Sequence, residues 1–484
     1  MPEEKGRAPE WRLIGGTGWR RKGRHLMNAI KSPKIHRRQF LRRAGMGVAL
    51  FNILPGTVSR GAEPLTANGK LNLAGIGIGS RGGADVSEAA GLGHNIVALC
   101  DVDEKYAAKE FAAYPNARRF TDYRVMLDKM GAGLDGVIIG TPDHTHAVIA
   151  MEAMRRGKHV YCEKPLTHTI GEVRHLMAAA REHKVVTQVG NQGHSSDSIR
   201  RVCEWIWAGV IGNVHTVHAA CDAFPNVYCQ IPNLPKLAEK HDIPQGLDYD
   251  LWVGPAEFKP YSPLWVPWNW RGWLTYGGGT IGDWICHVVD PSFWALDLGA
   301  PTSVHAEVTD YDLALHGLTY PPGAKVTFEF PAKGARGAVK LVWHDGRTRI
   351  PRPAAFGPDQ QVPGTGAIIH GDKAMIVHGS HGGGNCVLFP ENLMEEHAGK
   401  KAPAEKIPRV KGHVWDWAEA IRTGRKAGSD FDYGGALTQV GLLGLIALRF
   451  PGETLRWDDA PMRFTNHEGA NAHVNPPYRA GWKL

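Results

Sequence analysis

The chain has 484 residues, of which 43% are hydrophobic and 9% aromatic, proportions that are ordinary for a folded globular protein. Its formal net charge of +8 is concentrated near the start: residues 1–61 contain 14 lysines and arginines against 3 glutamates, and the rest of the chain contains 42 basic against 45 acidic residues. The part expected to fold is therefore slightly acidic, which argues against nucleic-acid binding. No apolar run in the sequence reaches the length of a membrane span.

The basic N-terminal stretch has the features of an export signal. Arg37-Arg38 precedes an apolar run from Ala44 to Leu54, and the small residues Ser59 and Gly61 suit cleavage after Gly61. Paired arginines before such a run resemble a twin-arginine signal. We expect residues 1–61 to be an export signal and basic leader recognised by the twin-arginine export machinery, and the protein to be periplasmic or otherwise exported. A disordered basic tail is the alternative.

A predicted strand and a glycine-rich turn follow. The stretch LNLAGIG, residues 71–77, predicts the strand, and Gly77, Gly79 and Gly82 match the pattern G-x-G-x-x-G at the start of a helix. These glycines let the backbone approach a pyrophosphate. A second strand ends at Asp101, 19 residues after Gly82, where a carboxylate binds ribose hydroxyls and repels a 2′-phosphate. The pattern favours NAD over NADP, with a purely structural turn as the alternative. The candidate cofactor residues are Gly77, Gly79, Ser80, Arg81, Gly82 and Asp101.

Strands and helices continue to alternate after this turn. Strands are predicted at Gly136–Ile139, His159–Cys162 and Val185–Val189, with helices between them. Ligands of doubly wound sheets bind at the carboxyl ends of the strands, and polar residues follow each of these three. They add a second set of cofactor candidates: Thr141, Pro142, Glu163, Lys164 and Gln192.

Three motifs together resemble the Gfo/Idh/MocA oxidoreductases. They are TPDHTH at 141–146, CEKP at 162–165 and GGGTIGDWICHVVD at 277–290. The resemblance extends from about Asn72 almost to the C-terminus, where LRWDDAPMRFTNHEGANAHVNPPYRAGW is similar to the exported, bacterial-type branch of the family.

The resemblance implies an α/β fold with two domains. Residues 62–192 would form an N-terminal doubly wound Rossmann domain that binds NAD, and residues 193–484 a C-terminal α/β domain with a mostly antiparallel sheet and the C-terminal tail. It also implies that His146 contacts the cofactor.

Asp283, His287 and Asp290 have the spacing of one helix face, since positions i, i+4 and i+7 point the same way. In the family's dehydrogenases, the lysine of Glu-Lys-Pro and the Asp-x-x-x-His pair surround the carbon that releases hydride. The resemblance therefore implies Lys164, Asp283 and His287 as the catalytic residues. His287 has a pKa suited to a general base, Lys164 can stabilise an alkoxide, and Asp283 can orient the histidine or hold a neighbouring hydroxyl.

Two other interpretations of this helix face remain open. The three residues could ligate a metal, although no further ligand pair at suitable spacing supports this, and we expect none. They could also form a buried network without chemistry. For Asp290 we expect a hydrogen bond to backbone.

An aromatic segment, SPLWVPWNWRGWLTYGGG at 262–279, precedes this helix. Aromatic faces stack on sugar rings, and arginine binds hydroxyls or carboxylates, so Arg271 and Trp273 are candidate substrate residues. Core packing is the alternative, and we expect it for at least two of the four tryptophans.

The remaining patterns concern the second domain. GAIIHGDKAMIVHG at 366–379 predicts a hairpin at a sheet edge with a Gly371-Asp372 turn, and GGALTQVGLLGLIALRF at 434–450 predicts a long apolar helix. The seven cysteines lack paired spacing, which predicts free, mostly buried thiols.

Taken with the resemblance, these features predict an exported NAD-dependent oxidoreductase that acts on a secondary hydroxyl of a sugar or polyol. We expect NAD to be tightly bound, because a folded protein delivered to the periplasm would lose a loosely held cofactor. A redox-neutral NAD-dependent glycoside hydrolase or lyase and a non-catalytic sugar-binding homologue are the alternatives. A homo-oligomer is compatible with the sequence.

Overall fold

The strand predicted at 71–77 begins a parallel six-stranded sheet. The computed structural model describes residues 69–484, without the side chain of Lys400, so the predicted export signal lies outside the described residues. Within the described part of the chain, no helix is both long and apolar enough to cross a membrane.

The first sheet has the strand order β3-β2-β1-β4-β5-β6, and every neighbouring pair is parallel. This order, in which the chain steps outward from β1 in both directions, is that of a doubly wound Rossmann domain. The predicted fold class is confirmed for this half of the protein. The strands are β1 (Asn72–Ile76), β2 (Asn95–Cys100), β3 (Arg118–Phe120), β4 (Gly136–Ile139), β5 (His159–Cys162) and β6 (Thr187–Val189).

Five helices alternate with these strands. Each buries apolar residues against the sheet, and α5 begins with a capping box between Thr169 and Glu172, which satisfies two amides of its first turn. The helices are α1 (Arg81–Gly91), α2 (Ala108–Ala113), α3 (Tyr123–Met130), α4 (His146–Arg155) and α5 (Ile170–Glu182).

The second sheet has nine strands in the order β13-β12-β11-β7-β10-β9-β8-β14-β15. Its pairs are antiparallel except for β7 with β10, as the predicted fold class requires. The strands are β7 (Val214–Cys221), β8 (Ser303–Thr309), β9 (Gly323–Phe330), β10 (Val339–Gly346), β11 (Gly366–Gly371), β12 (Met375–Gly379), β13 (Val387–Phe389), β14 (Thr454–Asp458) and β15 (Arg463–Phe464).

The hairpin predicted at 366–379 is present as β11 and β12, which pair from Gly366 with Gly379 to His370 with Met375. Its predicted place at a sheet edge is wrong, because β13 pairs with β12 on the outer side. The edge position is filled by a three-residue strand that the hydrophobic pattern did not reveal.

The helices of the second half are mostly short. They are α6 (Asp197–Trp207), α7 (Pro225–Tyr228), α8 (Tyr249–Val253), α9 (Gly279–Val288), α10 (Asp290–Ala295), α11 (Leu313–His316), α12 (Ser380–Gly383), α13 (Asn392–His397), α14 (His413–Thr423), α15 (Phe431–Ala447) and α16 (Glu468–Asn471).

Helix α14 returns to the first sheet, although it lies far beyond the predicted domain boundary at 192/193. Val414 and Trp417 are buried with Leu73 and Tyr161, and the Trp417 ring lies edge-on to Tyr161 at 5.9 Å between centroids. The boundary therefore separates the strands of the two sheets but not all of their helices.

The predicted apolar helix at 434–450 is confirmed as α15, which is buried along most of its length and packs against α9. Two glycines let the helices approach closely. A Cβ on Gly441 would lie 2.8 Å from Ile285, and one on Gly444 would lie 2.6 Å from Ile281. Because α9 carries Asp283 and His287, this contact fixes the position of the predicted catalytic helix.

The close packing of α9 on α15 can be tested by Gly444→Val. We expect the variant to lower the free energy of unfolding by about 1–3 kcal/mol, the usual cost of overpacking a core. Gly91→Val, at the end of α1, is the matched control, because a Cβ there meets nothing within 4 Å. Urea unfolding measures both, and equal stability of the two variants would contradict the packing argument.

Candidate active site

The glycine turn after β1 is held tightly against the loop after β4. Gly77 has a φ of +74°, which glycine adopts without strain. A Cβ on Gly77 would lie 2.6 Å from the amide nitrogen of Thr141, and one on Gly82 would lie 2.1 Å from the Gly77 carbonyl oxygen. Ser80, which precedes α1, makes no side-chain cap, so its hydroxyl does not occupy the amides at the start of the helix. A helix start of this kind fits a pyrophosphate.

Asp101 lies at the end of β2, beside the turn. Its carboxylate accepts hydrogen bonds from the amide of Ile78 at 2.8 Å and the amide of Asp103 at 3.0 Å. Burial raises the pKa of Asp101 to about 6, and these amides limit the rise. The side chain thus lies where the sequence predicted a ribose contact.

The turn and Asp101 line one cleft with the loop after β4. The cleft fits a dinucleotide, because it combines a glycine turn that admits no Cβ, a helix N-terminus and a carboxylate at the next strand end. Predicted cofactor residues that line it are Gly77, Gly79, Ser80, Arg81, Asp101, Thr141 and Pro142.

Residues far along the chain cover this cleft. Trp252 of α8, Trp268 and the C-terminal Trp482 all line it. Arg479 anchors the tail, because its guanidinium donates to Asp250 at 2.7 Å and to the Gly254 carbonyl at 2.5 Å. The cleft is therefore enclosed by the second half of the protein.

Five predicted cofactor residues do not line the cleft: Gly82, His146, Glu163, Lys164 and Gln192. Gln192 donates to Glu163 at 2.5 Å, and Glu163 also accepts from Arg81 at 3.3 Å. The buried His146 ring has its nitrogens 2.8 Å from the carbonyl oxygens of Thr141 and Pro165. These side chains position the lining, and the sequence motifs could not distinguish that role from direct contact.

Lys164, at the end of β5, forms an ion pair with Asp283 of α9, and both side chains are largely buried. The other carboxylate oxygen of Asp283 accepts a hydrogen bond from Tyr228 and lies 3.5 Å from Nε of Arg271. Burial acts to raise the pKa of Asp283, but Lys164 and Arg271 outweigh it and hold that pKa below its ordinary value. Asp283 is therefore an ionised group shared by two cations and a phenol.

His287, one turn after Asp283, is a neutral imidazole. Burial lowers its pKa well below the ordinary value, and the charge of Lys164 lowers it further. Its Nδ1 atom is buried without a hydrogen-bond partner in the described structure. Of the two roles considered for Asp283, orientation of His287 is not observed, and the hydroxyl that the carboxylate holds is that of Tyr228.

Two residues of this site were not predicted from the sequence. The His381 ring stacks on His287 with centroids 4.2 Å apart and planes inclined by 20°. His381 has a φ of +54°, which is uncommon outside glycine, and the glycines that follow it in SHGGG are the signal that could have drawn attention to it. Tyr228, 55 residues before Asp283, carries no comparable sequence signal.

Asp290 lies at the start of the next helix, and its hydrogen-bond partners differ from those of Asp283. Helix α9 ends at Val288 and α10 begins at Asp290, because Pro291 lacks the amide that would continue the helix. The Asp290 carboxylate accepts hydrogen bonds from the side chains of Asn191, His194 and Tyr433, and the expected backbone bond is not formed.

Residues 69–484 contain no group of three or more His, Cys, Asp or Glu side chains that could hold a metal.

The two predicted substrate residues have different environments. Arg271 lines the cleft, lies between the rings of Trp268 and Trp270 at 4.0 and 4.2 Å, and faces Asp283. Trp273 is 2% exposed and donates to the Leu264 carbonyl at 2.9 Å. Its prediction as a substrate contact is wrong, because it belongs to a buried aromatic cluster.

His144 ties this aromatic cluster to the first domain. Its ring nitrogens lie 2.9 Å from the carbonyl oxygen of Trp252 and 3.1 Å from that of Tyr276. Burial lowers the pKa of His144 to about 3, so the ring is neutral and donates to one of the two carbonyls.

Two family models match the chain. Residues 71–191 match the model described as oxidoreductase family, NAD-binding Rossmann fold, and residues 224–316 match the C-terminal alpha/beta domain of the same family. These matches support the assignment of the chain to the Gfo/Idh/MocA oxidoreductases.

Curated relatives include a dehydrogenase and a hydrolase. A glycosyl hydrolase family 109 protein of Shewanella putrefaciens is 29% identical over 206 residues, 37% of this chain and 44% of the relative. A levoglucosan dehydrogenase of Pseudarthrobacter phenanthrenivorans is 28% identical over 181 residues, 36% of this chain and 37% of the relative. The chain thus spans less than half the length of these relatives.

Solved structures share the fold over most of the described chain. An aldose-aldose oxidoreductase from Caulobacter crescentus, complexed with glycerol, has a TM-score of 0.52 at 17% identity and covers 80% of this chain and 99% of its own. An inositol dehydrogenase homolog from Azotobacter vinelandii, complexed with NADH and myo-inositol, has a TM-score of 0.52 at 15% identity, with 80% and 98% covered. At these identities the similarity concerns the fold alone.

The neutral state of His144 makes a pH-dependent contribution to stability. Its folded pKa of about 3 lies below the unfolded value of about 6.5, so only the unfolded state gains a proton as the pH falls below 6.5. This lowers the free energy of unfolding by about 1.4 kcal/mol per pH unit. We expect His144→Gln to show a shallower decline between pH 6.5 and 4.5 in urea unfolding, and the exposed His175→Gln to keep the wild-type slope. Identical slopes for all three proteins would contradict this assignment.

Proposed function

We propose that the protein is an NAD-dependent oxidoreductase that acts on a secondary hydroxyl of a sugar or polyol. One observation carries the proposal: the Lys164–Asp283 ion pair, one turn from the neutral His287, adjoins the cleft through Arg271, which lines the cleft and lies 3.5 Å from Asp283. A base, a positive charge and a dinucleotide cleft are what alcohol oxidation requires.

The residues have distinct tasks in this reaction. NAD, when bound, supplies the nicotinamide C4 that accepts the hydride. The neutral His287 takes the hydroxyl proton as the C–H bond breaks and the carbonyl forms. Lys164 stabilises negative charge on the substrate oxygen, and Asp283 with Tyr228 and Arg271 keeps the lysine in place. Asp101 favours NAD, because a 2′-phosphate would meet its negative charge.

The chemistry can be tested with His287→Ala and Lys164→Ala. We expect each to lower turnover by about 10²–10⁴-fold, the usual contribution of a positioned proton-transfer group. Bound nicotinamide should remain, because neither side chain lines the cleft. His175→Ala, on the exposed face of α5, is the control and should retain full activity. Near-normal turnover of His287→Ala would remove this histidine from the role of base.

A second candidate is a redox-neutral NAD-dependent glycoside hydrolase or lyase. The similarity to glycosyl hydrolase family 109 proteins favours it. In that reaction a hydroxyl is oxidised transiently, the neighbouring C–H bond becomes acidic, the glycosidic group is eliminated, and water adds before the hydride returns. The same base and cation would serve its first step.

We also propose that the protein is exported with NAD already bound. Arg37-Arg38 before the apolar run supports export, and the cover formed by Trp252, Trp268 and Trp482 supports slow release of the cofactor.

The cofactor content and the reaction products of the purified protein distinguish between these reactions. We expect denatured samples to release NAD, identified by mass against NADP, and the native protein to convert sugar pairs or glycosides without added cofactor. Oxidised sugar together with a reduced second sugar supports the oxidoreductase, and cleaved glycoside without net oxidation supports the second candidate. Folded protein that is free of nicotinamide and consumes added NAD stoichiometrically would contradict tight binding.

A further inference from the structure

A second cavity lies apart from the cofactor cleft and shares no lining residue with it. Its volume is about 440 Å³, within the usual range of small-molecule sites. The start of α5, the residues after α15 and the C-terminal segment enclose it. Tyr320, one of its walls, donates a hydrogen bond to the Gly277 carbonyl at 2.5 Å and so contacts the backbone that leads into α9.

Arg449 is the charged residue of this cavity that has no counter-ion. It follows α15, and burial lowers its pKa. Within residues 69–484 its guanidinium forms no ion pair, hydrogen bond or cation–π contact. The side chain is half-buried and its guanidinium nitrogens remain accessible, so an anion that enters the cavity can pair with them directly.

The end of helix α15 does not account for Arg449. A helix C-terminus attracts a nearby cation only weakly and does not replace a counter-ion. The carbonyls of Gly444, Ile446 and Ala447 already accept backbone hydrogen bonds, each at 3.0 Å. The Arg449 side chain forms no hydrogen bond to these carbonyls in the described structure.

The acidic residues of the cavity are engaged elsewhere. Glu172 accepts hydrogen bonds from Tyr478 at 2.6 Å and from the amides of His168 and Thr169 at 3.1 and 2.9 Å. Glu257 is paired with Lys259 at 2.6 Å and is largely exposed. The charge of Arg449 is thus unbalanced within the cavity.

Two histidines beside Arg449 complete a polar group. His168 and His473 both line the cavity, and burial together with the charge of Arg449 lowers the pKa of each to about 4. A neutral imidazole donates one hydrogen bond without adding charge; that of His168 goes to the Gly277 carbonyl, whereas that of His473 can go to an anion. Leu274, Leu442 and Ile446 supply apolar walls for the rest of a ligand.

We propose that this cavity binds a small organic anion of monosaccharide size, whose carboxylate or phosphate group pairs with Arg449, accepts a hydrogen bond from His473 and lies beside the ring of His168. The site is separate from the proposed catalytic residues, and it does not depend on the proposed function. Its ligand class follows from the single unpaired arginine, which favours a bidentate oxyanion, and from a cavity larger than an inorganic ion needs.

Calorimetric titration of the purified full-length protein with gluconate, glucose 6-phosphate, glucose and inorganic phosphate tests the proposal. We expect one of the two organic anions to bind, the stronger one identifying a carboxylate or a phosphate site, and glucose not to bind this cavity. Arg449→Gln should weaken the binding by about 10-fold or more. Arg463→Gln, an equal change of charge on exposed β15, should leave it unchanged.

A second measurement uses the wild-type protein and therefore does not depend on whether Arg449→Gln folds. Nuclear magnetic resonance follows the ring signals of its histidines. The ring signals of His168 and His473 should shift during titration with the bound anion, whereas that of the distant, exposed His175 should not. Absence of anion binding, unchanged affinity in folded Arg449→Gln, or binding without movement of the two ring signals would overturn the proposal.

Discussion

The buried contact between Lys164 and Asp283 is the interaction on which the rest of the site depends. Each charge compensates the burial of the other, because a lone ion there would cost several kcal/mol. Lys164 comes from the end of a parallel strand and Asp283 from a helix packed on the other sheet, so the pair forms only when both halves of the protein are assembled. Its positive member also helps to keep His287 uncharged.

Residues outside the pair determine where it lies. Glycines of α15 let the catalytic helix approach, His146 holds the segment that carries Lys164, and His144 attaches the aromatic cluster to the cofactor domain. Arg271 is held between two indole rings and brings a second positive charge to Asp283. The site is thus a buried electrostatic arrangement supported by tight packing.

Local sequence patterns predicted the features that are local in the structure. The strands, the glycine turn and α15 follow from hydrophobic periodicity and glycine spacing, and Lys164 and Asp283 were found because their motifs are distinctive. Tyr228 and His381 were missed because only the tertiary fold brings them to α9. Trp273 was misassigned because a tryptophan-rich segment can form part of a core or of a binding site, and its composition does not distinguish the two. The backbone hydrogen bond expected for Asp290 was wrong, because its partners Asn191, His194 and Tyr433 come from distant parts of the chain.

The return of α14 to the first sheet has a consequence for motion. The described residues belong to one compact unit, in which α14 of the later sequence covers the earlier sheet and Asn191 is bonded to Asp290 across the boundary. A hinge needs a boundary that few contacts cross, and this boundary has many. We therefore expect ligands to enter when the aromatic segment and the C-terminal tail lift away while both sheets stay fixed. Access to the cleft would then depend on local opening of these two segments. The rate of opening would be set by the few side chains that anchor them, such as Arg479.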